Sequence, residues 1–126
     1  MKNLVICFIV SVALFACTVN RKSVPASSGY LNTPADLSSV IYEGGDGTTI
    51  ENAIVIKNAG NERNGVASEY AYISKKYGQR FRDWRPAEQS VTTDKGKKYD
   101  IIHIETIPYN LKLIFYFDIT DFYGKF

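Results

Sequence analysis

Histidine and tryptophan each occur once in this 126-residue chain, methionine only at its start, and cysteine twice. The cysteines are Cys7 and Cys17, so everything beyond Cys17 has neither a disulfide nor thiol chemistry available to it. The single histidine, His103, sits among Ile101, Ile102 and Ile104 with no second His or Cys to share a zinc ion, and with no Ser, Cys or carboxylate tied to it as a triad would need. Charge of neither sign prevails: 15 Lys and Arg against 13 Asp and Glu leave a net +2, too balanced to call for nucleic acid as a partner. No apolar run reaches the roughly 20 residues of a membrane-spanning helix, the longest being residues 4–16. What the chain does have is ordinary globular composition, 45% hydrophobic and 22% charged, which excludes wholesale disorder. Its 9 Tyr and 7 Phe let a short chain build a core from large side chains.

The N-terminus reads as an address. Lys2 precedes the apolar run LVICFIVSVALFA, in which only Ser11 is polar, and the sequence turns abruptly polar at Thr18-Val19-Asn20-Arg21-Lys22. The junction Leu14-Phe15-Ala16-Cys17 resembles the lipobox of bacterial prolipoproteins, with Phe15 standing where that motif has a small or β-branched residue. The resemblance implies cleavage before Cys17, diacylglycerol on its sulfur and acylation of the new amine. Several acyl chains anchor stably, each buried CH₂ contributing about 0.8 kcal/mol. The alternatives are an ordinary signal peptide with an incidental Cys and a retained N-terminal anchor. On the lipoprotein reading residues 1–16 are the signal, 17–37 the lipidated Cys and a tether rich in Ser, Thr, Asn, Pro and Gly, and 38–126 a single domain. Thr18 is not the Asp that resembles an inner-membrane retention signal, and no acidic run follows Cys17, so an outer-membrane anchor with a periplasm-facing domain is expected.

Within residues 38–126, Val40-Ile41-Tyr42 is a short apolar run closed by a Gly44–Gly47 turn. Thr48-x-x-Glu51 has capping-box spacing and predicts one helical turn, and Ala53-Ile54-Val55-Ile56 predicts a buried strand. Val66, Tyr70, Ile73 and Tyr77 predict a helix over 65–77 with these residues inward, Asn64 as N-cap, Glu69 early, Lys75 and Lys76 at the C-terminal dipole, and Gly78 as terminator. Residues 87–93 read as a polar edge strand, Asp94–Lys97 as a hairpin turn, and 99–106 as a strand with Ile102 and Ile104 on one side. Pro108-Tyr109-Asn110 turns the chain. Leu111, Leu113, Phe115, Phe117 and Ile119 then share one strand face, with Lys112, Tyr116 and Asp118 on the other. The expected class is α+β: a two-layer sandwich, one main helix on a small antiparallel sheet ending in a three-stranded meander.

The stretches GDGTTIENAIVI (45–56), SEYAYISKKYG (68–78), KKYDIIHIE (97–105) and YFDITDFYGKF (116–126) resemble small bacterial proteins, often lipoproteins, that carry GDG…ENA…EY…YD…YFDIT-F-GK. The resemblance implies a shared small domain over about residues 43–126 and brings no catalytic residue or cofactor with it.

Candidate chemistry is sparse. Asp46 between glycines lacks the alternating oxygen ligands of a calcium loop and reads as a turn residue. Glu69, Asp100, Glu105, Asp118 and Asp121 are scattered carboxylates with nothing local to set two of them across a cleft. The most suggestive stretch is 75–85, where Lys75, Lys76, Arg80, Phe81, Arg82, Trp84 and Arg85 interleave cations with aromatic rings. An exported domain is expected to offer that surface to another envelope protein or to anionic lipid headgroups rather than to nucleic acid. The opposing reading makes it a solvated helix end whose Phe81 and Trp84 cover the core edge. Three functions remain: a binding or assembly module, an inhibitor or immunity-type protein of an envelope enzyme, and a small envelope hydrolase using Asp46, His103 or Asp118. The first is the expected one, with no catalytic residue, metal or cofactor assigned.

Overall fold

A computed structural model describes residues 34–126. The signal segment, Cys17 and the tether up to residue 33 lie outside the described residues. Five strands and one helix follow in the order β1 (Ile41–Gly44), β2 (Ile54–Lys57), α1 (Glu62–Tyr77), β3 (Trp84–Asp94), β4 (Lys97–Thr106) and β5 (Lys112–Asp118). The sheet order is β1-β2-β5-β4-β3, so the fold is α+β with the expected β3-β4-β5 meander. It is mixed, because β2 runs parallel to β5 through Ile54 beside Phe117 and Val55 beside Asp118. Parallel neighbours need a long crossover, and α1 with the meander supplies it.

The β3–β4 hairpin closes at Lys95 and Gly96, both at positive φ (47° and 78°), between the paired Asp94 and Lys97. This two-residue turn matches the right-handed twist of its strands. Between β1 and β2 no helix forms, only a single turn closed by Ala53 N–H on Ile50 O at 3.3 Å. Asp46 Oδ1 accepts from the Thr48 N–H (3.0 Å) and hydroxyl (2.7 Å), and Thr49 rather than Thr48 accepts from a following amide, Asn52 N–H at 3.2 Å. The short polar side chains thus satisfy the loop's backbone locally, and one capping-box pair cannot nucleate a helix alone.

The helix begins earlier than its apolar spacing predicts. Asn61, not Asn64, is the N-cap, its side chain accepting from Asn64 N–H at 2.9 Å. Its inner face is also turned by one residue: Gly65, Ser68, Glu69 and Ile73 are buried while Val66 is exposed. Small residues explain the rotation. Gly65 and Ser68 let the helix lie close against the rest of the domain, and Gly65 has no room for a Cβ beside the buried Phe122 ring. Gly65→Ala is therefore expected to destabilise by about 1–3 kcal/mol, as overpacking does, read as a lowered urea midpoint at unchanged slope. The core beneath is Ile54, Ile56, Ile73, Trp84, Ile102, Ile104, Phe115, Phe117, Ile119 and Phe122, with Ala59.

The two ends of the domain differ. One gathers the helix start, the chain entry and the C-terminus: Asp36 N–H bonds to Asn64 Oδ1 (3.2 Å) and Gly124 N–H to Glu62 Oε1 (2.8 Å). The other gathers the helix end, the 79–83 loop and the 107–111 turn, joined where Ile107 N–H meets Asp83 O at 2.9 Å. Helix α1 spans the distance between them, about 24 Å at 1.5 Å per residue.

Candidate functional site

At the second pole the 75–85 segment divides into core and surface. Trp84 is fully buried, stacked on Tyr70 with ring centroids 6.1 Å apart, and its indole N–H donates to Gly78 O at 2.9 Å. It therefore leaves the expected binding surface. As the first residue of β3 it points to the helix-covered face, and a buried indole requires the acceptor that the helix terminus offers. Phe81 does the reverse of covering the core: it is 69% exposed. Its φ of 67° is left-handed, a conformation that costs a bulky residue about 1–2 kcal/mol, and the Phe81 N–H to Trp84 O bond at 2.6 Å holds it there. Tyr109 (78% exposed), Leu111 (53%) and Ile107 (40%) join Phe81 at this pole. Beside them Tyr77, Thr106, Pro108, Tyr109 and Leu111 line a groove of about 400 Å³ with Lys76 at its edge.

The cations there are held unequally. Arg82 pairs with Asp83 and Arg85 with Glu105, both at 2.8 Å. The Arg82 hydrogen bonds, with the Gln79 amide, hold the Asp83 carboxyl below its usual range. Lys75 and Lys76 are exposed on the last helical turn. Arg80 lies over the Tyr70 ring, 4.1 Å from its centroid, and 4.6 Å from that of Phe81.

Under the middle of α1 the structure brings together two carboxylates that are 31 positions apart in sequence, Glu69 and Asp100. Glu69 is 0% exposed on the inner helix face, and Asp100 is 3% exposed on β4. Neither Glu69 oxygen has a donor, nor has Asp100 Oδ1. Burial pushes the Glu69 carboxyl up to about 10, with the Asp100 charge adding to it, so Glu69 is protonated at neutral pH and faces Asp100 as an acid facing a carboxylate. Burial also raises Asp100, against the bond it receives from Gln89. The chain of contacts continues outward: Gln89 donates to Asp100 Oδ2, and Tyr70 Oη donates to Gln89 Oε1 at 2.7 Å. Both carboxyls are closed off from solvent, without the open cleft in which glycoside hydrolysis sets its two acids.

The other singled-out residues are tied into local structure. Asp118 accepts from Lys97 Nζ (3.0 Å) and, through its other oxygen, from Thr120 N–H (3.1 Å) and hydroxyl (2.6 Å). Burial raises its carboxyl, but these bonds outweigh that and lower it overall. Asp121 accepts from Asn58 N–H at 3.0 Å. His103 is half-buried on the sheet face away from the helix, opposite Glu88 on β3 and Ile114 on β5. It lines a groove of about 390 Å³ to which neither Asp46 nor Asp118 contributes, so the three residues of the hydrolase reading do not converge. Among the described residues no three His, Cys, Asp or Glu side chains gather as a cation site.

No family model, curated protein or solved structure matches this chain. The site has to be read from its own geometry. The sequence places Glu69 merely early in the helix. The signal that it is inward is its spacing, four residues from both Gly65 and Ile73. Asp100 carries a weaker one, since it precedes the buried Ile102 and Ile104 by two and four positions on one strand.

Proposed function

We propose that this chain is a lipid-anchored protein of the bacterial cell envelope whose domain works by binding, through the pole formed by the 79–83 loop and the 107–111 turn. The observation that carries the reading is the pole itself. Phe81, Tyr109 and Leu111 stand exposed on two segments that meet at the Ile107–Asp83 bond, with Lys76 and Asp83 lining the groove beside Tyr109 and Leu111 and with Arg80, Arg82 and Arg85 along the same stretch of chain as Phe81. Exposed apolar clusters rimmed by charge mark contact surfaces. The chain enters the domain at the far end, which favours an arrangement in which an N-terminal anchor leaves this pole free. The lipobox-like Leu14-Phe15-Ala16-Cys17 supports the anchor, and Thr18 supports an outer-membrane address facing the periplasm.

Replacing Cys17 by Ser is expected to abolish incorporation of labelled palmitate and to move the protein out of the membrane fraction. A wild-type protein that takes up no label would sink the anchor reading.

A further inference from the structure

The three arginines of the pole are not equivalent. Arg82 and Arg85 are paired with carboxylates, whereas Arg80 has no ion pair among the described residues. Its guanidinium lies between the Tyr70 and Phe81 rings, and its buried Nε has no acceptor. Stacking occupies the faces of a guanidinium and leaves its in-plane N–H edge, the edge that matches a phosphate bidentately. The clamp is held from beneath, because Tyr70 is fixed by its hydroxyl on Gln89 and its ring on Trp84.

Cations outnumber acids along the segment that carries the clamp: residues 75–85 hold Lys75, Lys76, Arg80, Arg82 and Arg85 against Asp83 alone. Aromatic and aliphatic side chains projecting from a cationic rim suit the boundary between headgroups and acyl chains, where rings sit half in each medium. We propose that this pole docks on an anionic phospholipid surface, with Arg80 taking a headgroup phosphate in its aromatic clamp and Phe81, Tyr109 and Leu111 entering the interface. This deepens, and rests on, the reading of the chain as a lipid-anchored binding protein.

The test uses the full chain, recovered in detergent from the membrane fraction. It is reconstituted into phosphatidylcholine vesicles or into an equal mixture of phosphatidylcholine and phosphatidylglycerol, each with excess empty vesicles of the same composition. Amide exchange at 80–84 and 107–112 is expected to slow about tenfold in the anionic vesicles and to recover at high salt. Arg80→Gln should lose that protection while still unfolding cooperatively well above the assay temperature, and Arg80→Lys, which keeps charge but not the planar edge, should lose most of it. Equal exchange in both vesicle types overturns the lipid proposal and leaves the anchor reading standing. Protection by free glycerol phosphate in neutral vesicles overturns it in favour of a small phosphate ligand. A chain found only in the soluble fraction overturns the anchor reading, and adding the same vesicles to it tests the headgroup claim separately.

Discussion

Acidifying the protein from pH 8 to pH 5 is expected to stabilise it, and Glu69→Gln is expected to remove most of that gain. The cause is the buried acid pair. In the unfolded chain Glu69 titrates near its ordinary 4.5, but in the fold burial and Asp100 hold it protonated to about 10. Folding therefore takes up a proton anywhere between these values. The stability this group contributes is complete below about 4.5 and declines as pH rises toward 10. The limiting slope is about 1.4 kcal/mol per pH unit, so three units amount to about 4 kcal/mol, a large share of a small domain's stability. Gln is neutral at every pH and its amide can donate to Asp100, so the variant should exceed the wild type above pH 5 by a margin that widens with pH. Asp100, raised in the same direction, leaves the variant a shallower slope of the same sign. At the acid end the trend with pH reverses in both proteins, because Asp118, Asp83 and Asp46 have lowered carboxyls and their contributions are lost as pH falls below about 3.8. Urea unfolding at pH 5, 6.5 and 8 decides it: parallel wild-type and variant curves would remove the acid pair from the account.

The second large effect is at Trp84. Truncation to Ala empties the largest fully buried side chain in the described domain and strands the Gly78 carbonyl that its indole N–H now satisfies. Cavity formation around a buried aromatic costs about 3–5 kcal/mol, and the loss of the part-buried hydrogen bond adds about 1. Against the 5–15 kcal/mol typical of a domain, Trp84→Ala is expected to leave a largely unfolded population at 37 °C, seen as loss of cooperative thermal unfolding by circular dichroism. Trp84→Phe keeps a ring against Tyr70 and removes the donor and part of the indole volume, so it should fold with a reduced melting temperature. A well-folded Trp84→Ala protein would mean that this segment is surface after all.

The period-2 pattern of Leu113, Phe115 and Phe117 and the Asp94–Lys97 turn make the meander legible in the sequence, because both depend on local geometry alone. The parallel β2–β5 pairing is not legible there, since nothing in Ala53-Ile54-Val55-Ile56 says which distant strand it joins. The helix is legible in existence but not in rotation. Val66 is inward by hydrophobicity, yet Gly65 and Ser68 decide the face by size. The same blind spot hides Glu69, because a charged residue on a helix is normally solvated. At the pole, composition locates the cationic aromatic segment, but only the fold separates Trp84, which is core, from Phe81, which is surface, and reveals Tyr109 and Leu111 beside it.

The pairing of β2 with β5 has a mechanical consequence. The meander is a run of neighbouring hairpins that can zip up early, whereas Ile54 and Val55 meet Phe117 and Asp118 only after more than half of the described chain has been gathered in. That seam is two residue pairs long, and β1 hangs beyond it, joined within the sheet to β2 alone and to α1 only through Tyr42. A load entering at residue 34 reaches β1 first. The sheet should therefore yield under tension by peeling β1 and β2 away as a unit, while β3, β4 and β5 keep the 107–111 turn in its folded shape.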